Sequence, residues 1–233
     1  MLRFWTIKSA VSSRHRCGET FTSETWLSVF RLAAAFSISA AIALVLCGCG
    51  GRETQQIRAE SSFAFESGAM GWKPETTGDS RAVVNVAQSA DAARAGVSSL
   101  RLTINLRGGD ARLGKGETYV DIRICDMTAE RVSAWVYCPA GAVGDPQKPN
   151  GIQLFVKDYV GKSEYGSWTN MAPDTWQEIL LYPSTVKPVD GWMDAGFDPS
   201  KVVRVGIKVA VGGGSTWTYS GPIYVDSVAW TSH

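Results

Sequence analysis

Three stretches of this chain alternate apolar and polar residues at every second position, and that pattern constrains the backbone more than any other feature. Leu100, Leu102, Ile104 and Leu106 are interleaved with Arg101, Thr103 and Asn105. Val120, Ile122 and Ile124 stand against Tyr119, Asp121 and Arg123, and Val203, Val205, Ile207 and Val209 against Arg204, Gly206 and Lys208. Strand side chains point alternately to opposite faces, so period two over four or more residues marks half-buried antiparallel strands. Shorter runs predict further strands at 61–66, 81–87, 131–138, 151–159, 176–182 and 222–230. Loops rich in Gly, Pro and Asp separate them, and no region carries a helical repeat. About nine strands at this spacing predict an all-β fold, an antiparallel two-sheet jelly-roll β-sandwich.

The last run contains a phase slip. Ile223 and Val225 share one parity, whereas Val228 and Trp230 share the other. If all four are buried, one extra residue sits at Asp226-Ser227, which predicts a β-bulge there.

Composition excludes one class of partner. The first 48 residues hold five cations (Arg3, Lys8, Arg14, Arg16, Arg31) and two anions (Glu19, Glu24), while the whole chain has a net charge of +1. The remainder is therefore slightly acidic and lacks the basic footprint of a nucleic-acid binder.

The N-terminal region reads as a targeting segment. Arg31 precedes an apolar run, Leu32 to Leu46, interrupted only by Ser37 and Ser39. That length is short for a membrane span and suits a signal-peptide core. Leu46-Cys47-Gly48-Cys49-Gly50-Gly51 resembles the lipobox of bacterial lipoproteins, with Leu at −3 and Gly at −1 of Cys49. Cys47 fits less well, because it would place bulky Leu46 at −1. The resemblance implies cleavage before Cys49, lipidation of Cys49, and a lipid-anchored place in the cell envelope, at the outer membrane or cell surface. Gly50 after the acylated Cys favours outer-membrane sorting in a cell with two membranes. An uncleaved signal anchor and a plain secretory signal are the alternatives. The expected organisation is a signal peptide over 1–48, a lipidated Cys and tether over 49–60, and one domain over 61–233. The segment before Arg31 is long for such a leader, so translation is expected to start beyond about residue 28.

Several segments resemble galactose-binding-like carbohydrate-binding modules. Phe63-Ala64-Phe65-Glu66-Ser67-Gly68, followed by Gly71-Trp72, is similar to their opening strand. Ala95-Gly96-Val97-Ser98-Ser99-Leu100-Arg101-Leu102 resembles their G-x-x-S-L-x-L core strand. Ser133-Ala134-Trp135-Val136-Tyr137 and Gln153-Leu154-Phe155-Val156-Lys157-Asp158 resemble two middle strands of the mannan- and glucan-binding modules attached to glycanases. Val205-Gly206-Ile207-Lys208-Val209 and Ile223-Tyr224-Val225-Asp226-Ser227-Val228 resemble the closing pair. Together they span residues 61–231. The resemblance implies non-catalytic binding of a polysaccharide of the β-mannan or β-glucan kind, with a separate glycanase as an expected partner. It also implies a structural Ca²⁺ near the first and last strands, with Glu66 and Asp226 as its side-chain ligands. The alternative for these two is an ordinary surface carboxylate and a capped bulge.

A sugar ring offers apolar C–H faces and a rim of hydroxyls, so its site needs exposed aromatic platforms beside hydrogen-bonding groups. Gln153, Phe155, Lys157 and Tyr159 share one parity, opposite Ile152, Leu154 and Val156. If the aliphatic face turns inward, the first set forms a ligand surface, which Arg204 and Lys208 extend from the 202–209 strand. Trp135 and Tyr137 share parity with Ser133 and are candidates for the same surface. Loop aromatics add to the set: Tyr165 and Trp168, Trp192 in a Pro/Gly-rich stretch, and Trp217 and Tyr219 after Gly212-Gly213-Gly214. Plugging the open ends of a sandwich is the competing role for any one of these. Trp72, Trp176 and Trp230 read as core.

His233 is the only histidine after residue 48, which argues against a Ser-His-Asp or Cys-His centre. Paired carboxylates stay open, with Glu117, Asp121, Asp158 and Glu164 available, so a jelly-roll glycoside hydrolase or polysaccharide lyase is the main alternative. A structural or adhesive envelope lipoprotein is the second. Cys125 and Cys138 are expected as free, mostly buried thiols. In a simple hairpin about Met127-Thr128 seven residues of strand, roughly 20 Å, would separate them.

Overall fold

A computed structural model describes residues 59–232. The leader, Cys49 and the tether up to residue 58 lie outside the described residues. The chain runs through β1 (Ala59–Phe63), β2 (Lys73–Pro74), β3 (Val83–Ser89), β4 (Ser99–Arg107) and β5 (Lys115–Cys125). Then come β6 (Val132–Tyr137), β7 (Gly144–Asp145), β8 (Lys148–Pro149), β9 (Gly151–Asp158) and β10 (Ser163–Tyr165). The last five are β11 (Thr169–Asn170), β12 (Trp176–Leu181), β13 (Trp192–Met193), β14 (Val202–Ala210) and β15 (Thr218–Ser232). Two short 3₁₀ turns, Ala140–Ala142 and Pro199–Lys201, are the only helices among the described residues.

One sheet has the order β12-β6-β15-β4-β3, with β1 added to β15. The other has the order β13-β10-β9-β14-β5-β2, with β11 added to β9. Every pairing is antiparallel. From β4 onward the long strands alternate between sheets, β4, β6, β12 and β15 in the first and β5, β9 and β14 in the second. That winding makes the domain an all-β, two-sheet jelly-roll sandwich.

The alternation read in the sequence builds the core between the sheets. Leu100, Leu102, Ile104 and Leu106 of β4 are fully buried, as are Val132, Ala134 and Val136 of β6. Ile152, Leu154 and Val156 of β9 meet them from the second sheet with Val205, Ile207 and Val209 of β14. Each such side chain contributes about 1.5–3 kcal/mol on leaving water. Trp72 and Trp230 close one end against Phe63 and Phe65, with ring centroids 5.5–6.1 Å apart. Trp176 departs from expectation. It is half-buried on the outer face of the first sheet, 5.7 Å from Tyr137.

Besides a register shift on β3 between Val83 and Asn85, two bulges tune the strands. On β15 the register against β6 shifts between Asp226 and Ala229, and Ser227 adopts φ 51°, so the slip expected at Asp226-Ser227 is present. The extra residue lets Val225 and Val228 both reach the core. The second bulge was not expected: β14 shifts between Val202 and Arg204, so Val202 is buried and Val203 falls out of phase. The alternation in β5 also fades, with Val120 buried, Ile122 half-buried and Ile124 exposed.

β5 and β6 belong to different sheets and are not a hairpin, yet Cys125 and Cys138 are both free thiols. Burial pushes them up to about 11 and about 12, so both stay protonated at neutral pH.

Candidate functional site

The outer face of the second sheet carries polar and aromatic side chains in a grid set by strand register. Directly opposed residues share a face, so Gln153, Lys208 and Glu117 form one row across β9, β14 and β5. Phe155, Gly206 and Tyr119 form the next, and Lys157, Arg204 and Asp121 the third. β10 extends the grid by setting Tyr165 beside Phe155, and β13 sets Trp192 beside Tyr165.

A cleft of about 420 Å³ opens where these strands meet the 166–169 loop. Gln153, Lys208 and Tyr165 lie on its floor with Ser163, and Trp168, Trp192 and Asp194 line it as well. Trp168 is 44% exposed and Trp192 58% exposed, whereas Gln153 is 4% exposed. Trp192 is held in place: its Nε1 donates to Asp194 Oδ1 at 3.2 Å, and Asp194 Oδ2 accepts from Ser163 N at 2.9 Å. Lys187 Nζ lies 5.6 Å from the Trp192 ring centroid.

Lys208, Arg204 and Lys73 on this face are tied to carboxylates and lie over tyrosines. Lys208 Nζ is 3.0 Å from Glu117 Oε1 and 4.3 Å from the Tyr165 ring centroid. Glu117 also accepts from the Ser80 hydroxyl at 3.0 Å and the Tyr165 hydroxyl at 3.3 Å. Burial raises the Tyr165 phenol well above its ordinary value, and the facing Glu117 charge adds to that. Tyr165 is thus a neutral hydrogen-bonding group at any physiological pH. Arg204 Nε donates to Asp121 Oδ1 at 2.7 Å, with the guanidinium 3.6 Å from the Tyr119 ring centroid, and Lys73 Nζ reaches Asp121 Oδ2 at 2.8 Å. Partial burial alone would raise Asp121, but the bonds from Lys73 and Arg204 outweigh it and hold the carboxyl below its ordinary value. The face therefore presents fixed charges in pairs, with oriented donors and acceptors between aromatic walls.

Of the residues expected on a ligand surface, Gln153, Trp168, Trp192 and Lys208 line this cleft, and Lys157 and Arg204 extend the same face. Six others do not line the cleft. Phe155 has the expected orientation but is 1% exposed: its ring lies over Gly206 and under Tyr165, 5.1 Å away. A Cβ at Gly206 would fall 2.2 Å from the Phe155 ring, so the glycine is what lets the ring lie flat, as floor and not as platform. Tyr159 lies past the end of β9, in a turn, and is 57% exposed with Lys201 Nζ 5.4 Å from its ring centroid. Trp217, 44% exposed, immediately precedes β15, and Tyr219 lies at the start of that strand in the first sheet. Trp217 gives its carbonyl to Gly108 N, and the Tyr219 hydroxyl donates to Pro222 O at 2.7 Å. Trp135 and Tyr137 face outward from the first sheet, not from the cleft sheet.

Tyr119, Glu117, Asp121 and Asp194 belong to this face and were not singled out as binding residues. For the first three the signal was available, since their odd parity on β5 opposes Val120 and the buried Thr118.

Glu66 and Asp226 do lie by the first and last strands, where each clamps the loop before β4. Asp226 Oδ2 accepts Arg94 N at 2.8 Å and Ala95 N at 3.1 Å, and Oδ1 accepts Ser227 N at 2.6 Å. Glu66 Oε1 accepts Val97 N at 3.1 Å and Ser98 N at 3.3 Å. Gly96, at φ +65°, leaves room for that carboxylate, which a Cβ would meet at 2.1 Å. In this arrangement the two carboxylates spend most of their acceptor capacity on the N–H groups of that loop. No cluster of three or more His, Cys, Asp or Glu suited to a metal occurs among the described residues.

No protein-family model matches the chain, and no curated protein matches it. Among solved structures, the CBM27-1 module of Caldicellulosiruptor saccharolyticus in complex with mannohexaose is 16% identical, with 73% of this chain and 96% of that one covered at a TM-score of 0.48. The C-terminal family 22 module of Clostridium thermocellum Xyn10B is 13% identical, covering 74% and 92% at 0.45. The family 11 module of Clostridium thermocellum, in complex with a β-1,3-1,4-mixed-linked tetrasaccharide, is 12% identical, covering 73% and 94% at 0.45.

Proposed function

We propose that this protein binds a polysaccharide of the β-mannan, xylan or β-glucan kind in the cleft of the second sheet, without cutting it. The observation that carries this reading is the pairing of two exposed indoles, Trp168 and Trp192, with a polar floor of buried Gln153 and half-buried Lys208 and Tyr165. Indole faces stack on sugar C–H surfaces, and a carboxamide, an ammonium and a phenol in fixed positions read the hydroxyl rim. Glu117 orients the ammonium and the phenol before the ligand arrives, so little of their ordering entropy is lost on binding.

The carboxylates of the face suit binding better than hydrolysis. Glu117 and Asp121 are four residues apart on one strand, roughly 13 Å, beyond the ~5–9.5 Å that glycosidase pairs use. Both are also engaged by cations, Glu117 by Lys208 and Asp121 by Lys73 and Arg204. Asp121, held below its ordinary value, is not poised as the proton-bearing acid such an enzyme needs.

In this reading the module is lipid-anchored through Cys49 at the cell envelope and holds glycan near a separate glycanase. Metabolic labelling of the expressed chain with palmitate, abolished by Cys49→Ser, tests the anchor. Affinity electrophoresis of the full chain in gels containing mannan, xylan, β-glucan or galactan tests the binding. Retardation by one polymer, lost in Trp192→Ala, supports the reading; migration unchanged in all four contradicts it.

A further inference from the structure

On β10 the side chains of Ser163 and Tyr165 face the cleft, so Glu164 between them faces the other way. Its surroundings are unusual for a carboxylate. Glu164 is 0% exposed, Oε2 accepts Ser184 N at 3.0 Å, and Oε1 has no hydrogen-bond partner. It lies at the base of a pocket of about 370 Å³ that opens to solvent between β10 and the chain following β12. The walls are largely apolar: Leu181, Tyr182, Val186 and Pro188. Tyr182 and Val186 are 53% and 74% exposed at the rim, with no protein covering them.

A buried acceptor without a partner costs on the order of 1–3 kcal/mol, more for a charged group. Such groups are kept where something else supplies the partner. Among the described residues no Lys or Arg pairs with it. Burial raises the Glu164 carboxyl to about 7, against the pull of the Ser184 amide, because the charged form has too little to stabilise it.

We propose that this pocket is a second binding site, separate from the glycan cleft, for a primary alkylammonium group such as a lysine side chain. The ammonium would donate to Glu164 Oε1 while its methylene stem lies along Leu181, Val186 and Pro188. The lining of the pocket supports that division, with the unpaired carboxylate oxygen at the base, Ser167 and Ser184 as the other polar side chains, and hydrocarbon along the rest. A hydroxyl ligand would satisfy the acceptor but leave the carboxylate's charge unpaired in an apolar setting. An ammonium answers both needs, and amphipathic cations characteristically bury their stems while pairing their heads.

The test is NMR titration of the full chain at pH 8 with n-butylammonium, n-butanol and Nα-acetyl-lysine-amide, reading the methyl resonances of Leu181 and Val186. The expected result is a saturable shift with the two ammonium compounds and binding of n-butanol at least tenfold weaker. Glu164→Gln keeps the shape and removes the charge, and should weaken ammonium binding at least tenfold. Val186→Ala, at the exposed rim, should weaken it a few-fold with the fold intact. Stronger binding of the lysine amide than of butylammonium would identify a peptide lysine as the source, and the reverse a free amine. Equal binding of butanol and butylammonium, or no saturable shift with either ammonium compound, would overturn the proposal. That comparison uses only the native chain, so it decides even if Glu164→Gln does not fold.

Discussion

The two sheets present outer faces of similar aromatic content that are organised in opposite ways. On the first sheet the rings are spent on one another: Tyr137 lies 5.7 Å from Trp176 and 6.1 Å from Tyr224, and the Arg94 guanidinium covers Trp135 at 3.6 Å. On the second sheet the inner rings, Tyr119 and Tyr165, are likewise stacked with Arg204 and Lys208, but the flanking Trp168 and Trp192 rise exposed beside a recess. The difference teaches that aromatic count does not mark a binding surface. A free ring next to a buried, oriented polar group does, because only that combination offers a sugar both its apolar face and its hydroxyls a partner.

Four experiments would break or sharpen that contrast. The largest effect is expected from Lys208→Ala, which leaves the buried Glu117 carboxylate with only Ser80 and Tyr165. Urea unfolding should show a loss of about 3 kcal/mol, and glycan binding should fall as well. The exposed pair Arg101–Asp91 on the first sheet offers the counterpart, where Arg101→Ala should cost under about 1 kcal/mol. If the two substitutions cost the same, the polar floor of the cleft is not pre-organised in the way described.

Next comes the contrast of the indoles themselves. Trp192→Ala should weaken glycan affinity by about 2 kcal/mol, roughly thirtyfold, with little change in Tm. Trp135→Ala should leave affinity unchanged and lower Tm, because that ring packs under Arg94 and serves stability. A smaller effect is expected from Gly206→Ala. Its new Cβ would meet the Phe155 ring at 2.2 Å and the Thr118 carbonyl at 2.7 Å, so the floor must shift at a cost of about 1–2 kcal/mol by urea denaturation.

The smallest effect concerns metal. With Glu66 and Asp226 satisfied by N–H groups, removal of divalent cations by EDTA should move Tm by less than about 1 °C in calorimetry. A stabilisation by added Ca²⁺ that Asp226→Asn abolishes would show that the loop 92–98 rearranges to free those oxygens.

The sandwich itself was legible because its evidence is local. Each inward row, Leu100 to Leu106 or Ile152 to Val156, declares its face through period two, and the slip at Asp226-Ser227 is visible as a change of parity within one strand. The site was only half legible because parity assigns a side chain to a face and not to a sheet. Trp135 and Gln153 have the same local signature, yet β6 and β9 belong to different sheets. Phe155 was misread for a related reason: its burial depends on Gly206, 51 positions along the chain, and on Tyr165 from a neighbouring strand. The β14 bulge was hidden because Val202 and Val203 are both valine, so either could have been the inward residue.

The central claim is tested most directly by isothermal titration of the full chain with mannohexaose, xylohexaose and cellohexaose, repeated on Trp168→Ala/Trp192→Ala and on Trp135→Ala. The account predicts measurable binding of at least one hexasaccharide, lost in the double variant while its unfolding transition is unchanged, and retained in Trp135→Ala. Binding that survives the double variant, or that disappears only in Trp135→Ala, would contradict it and move the glycan surface to the other sheet.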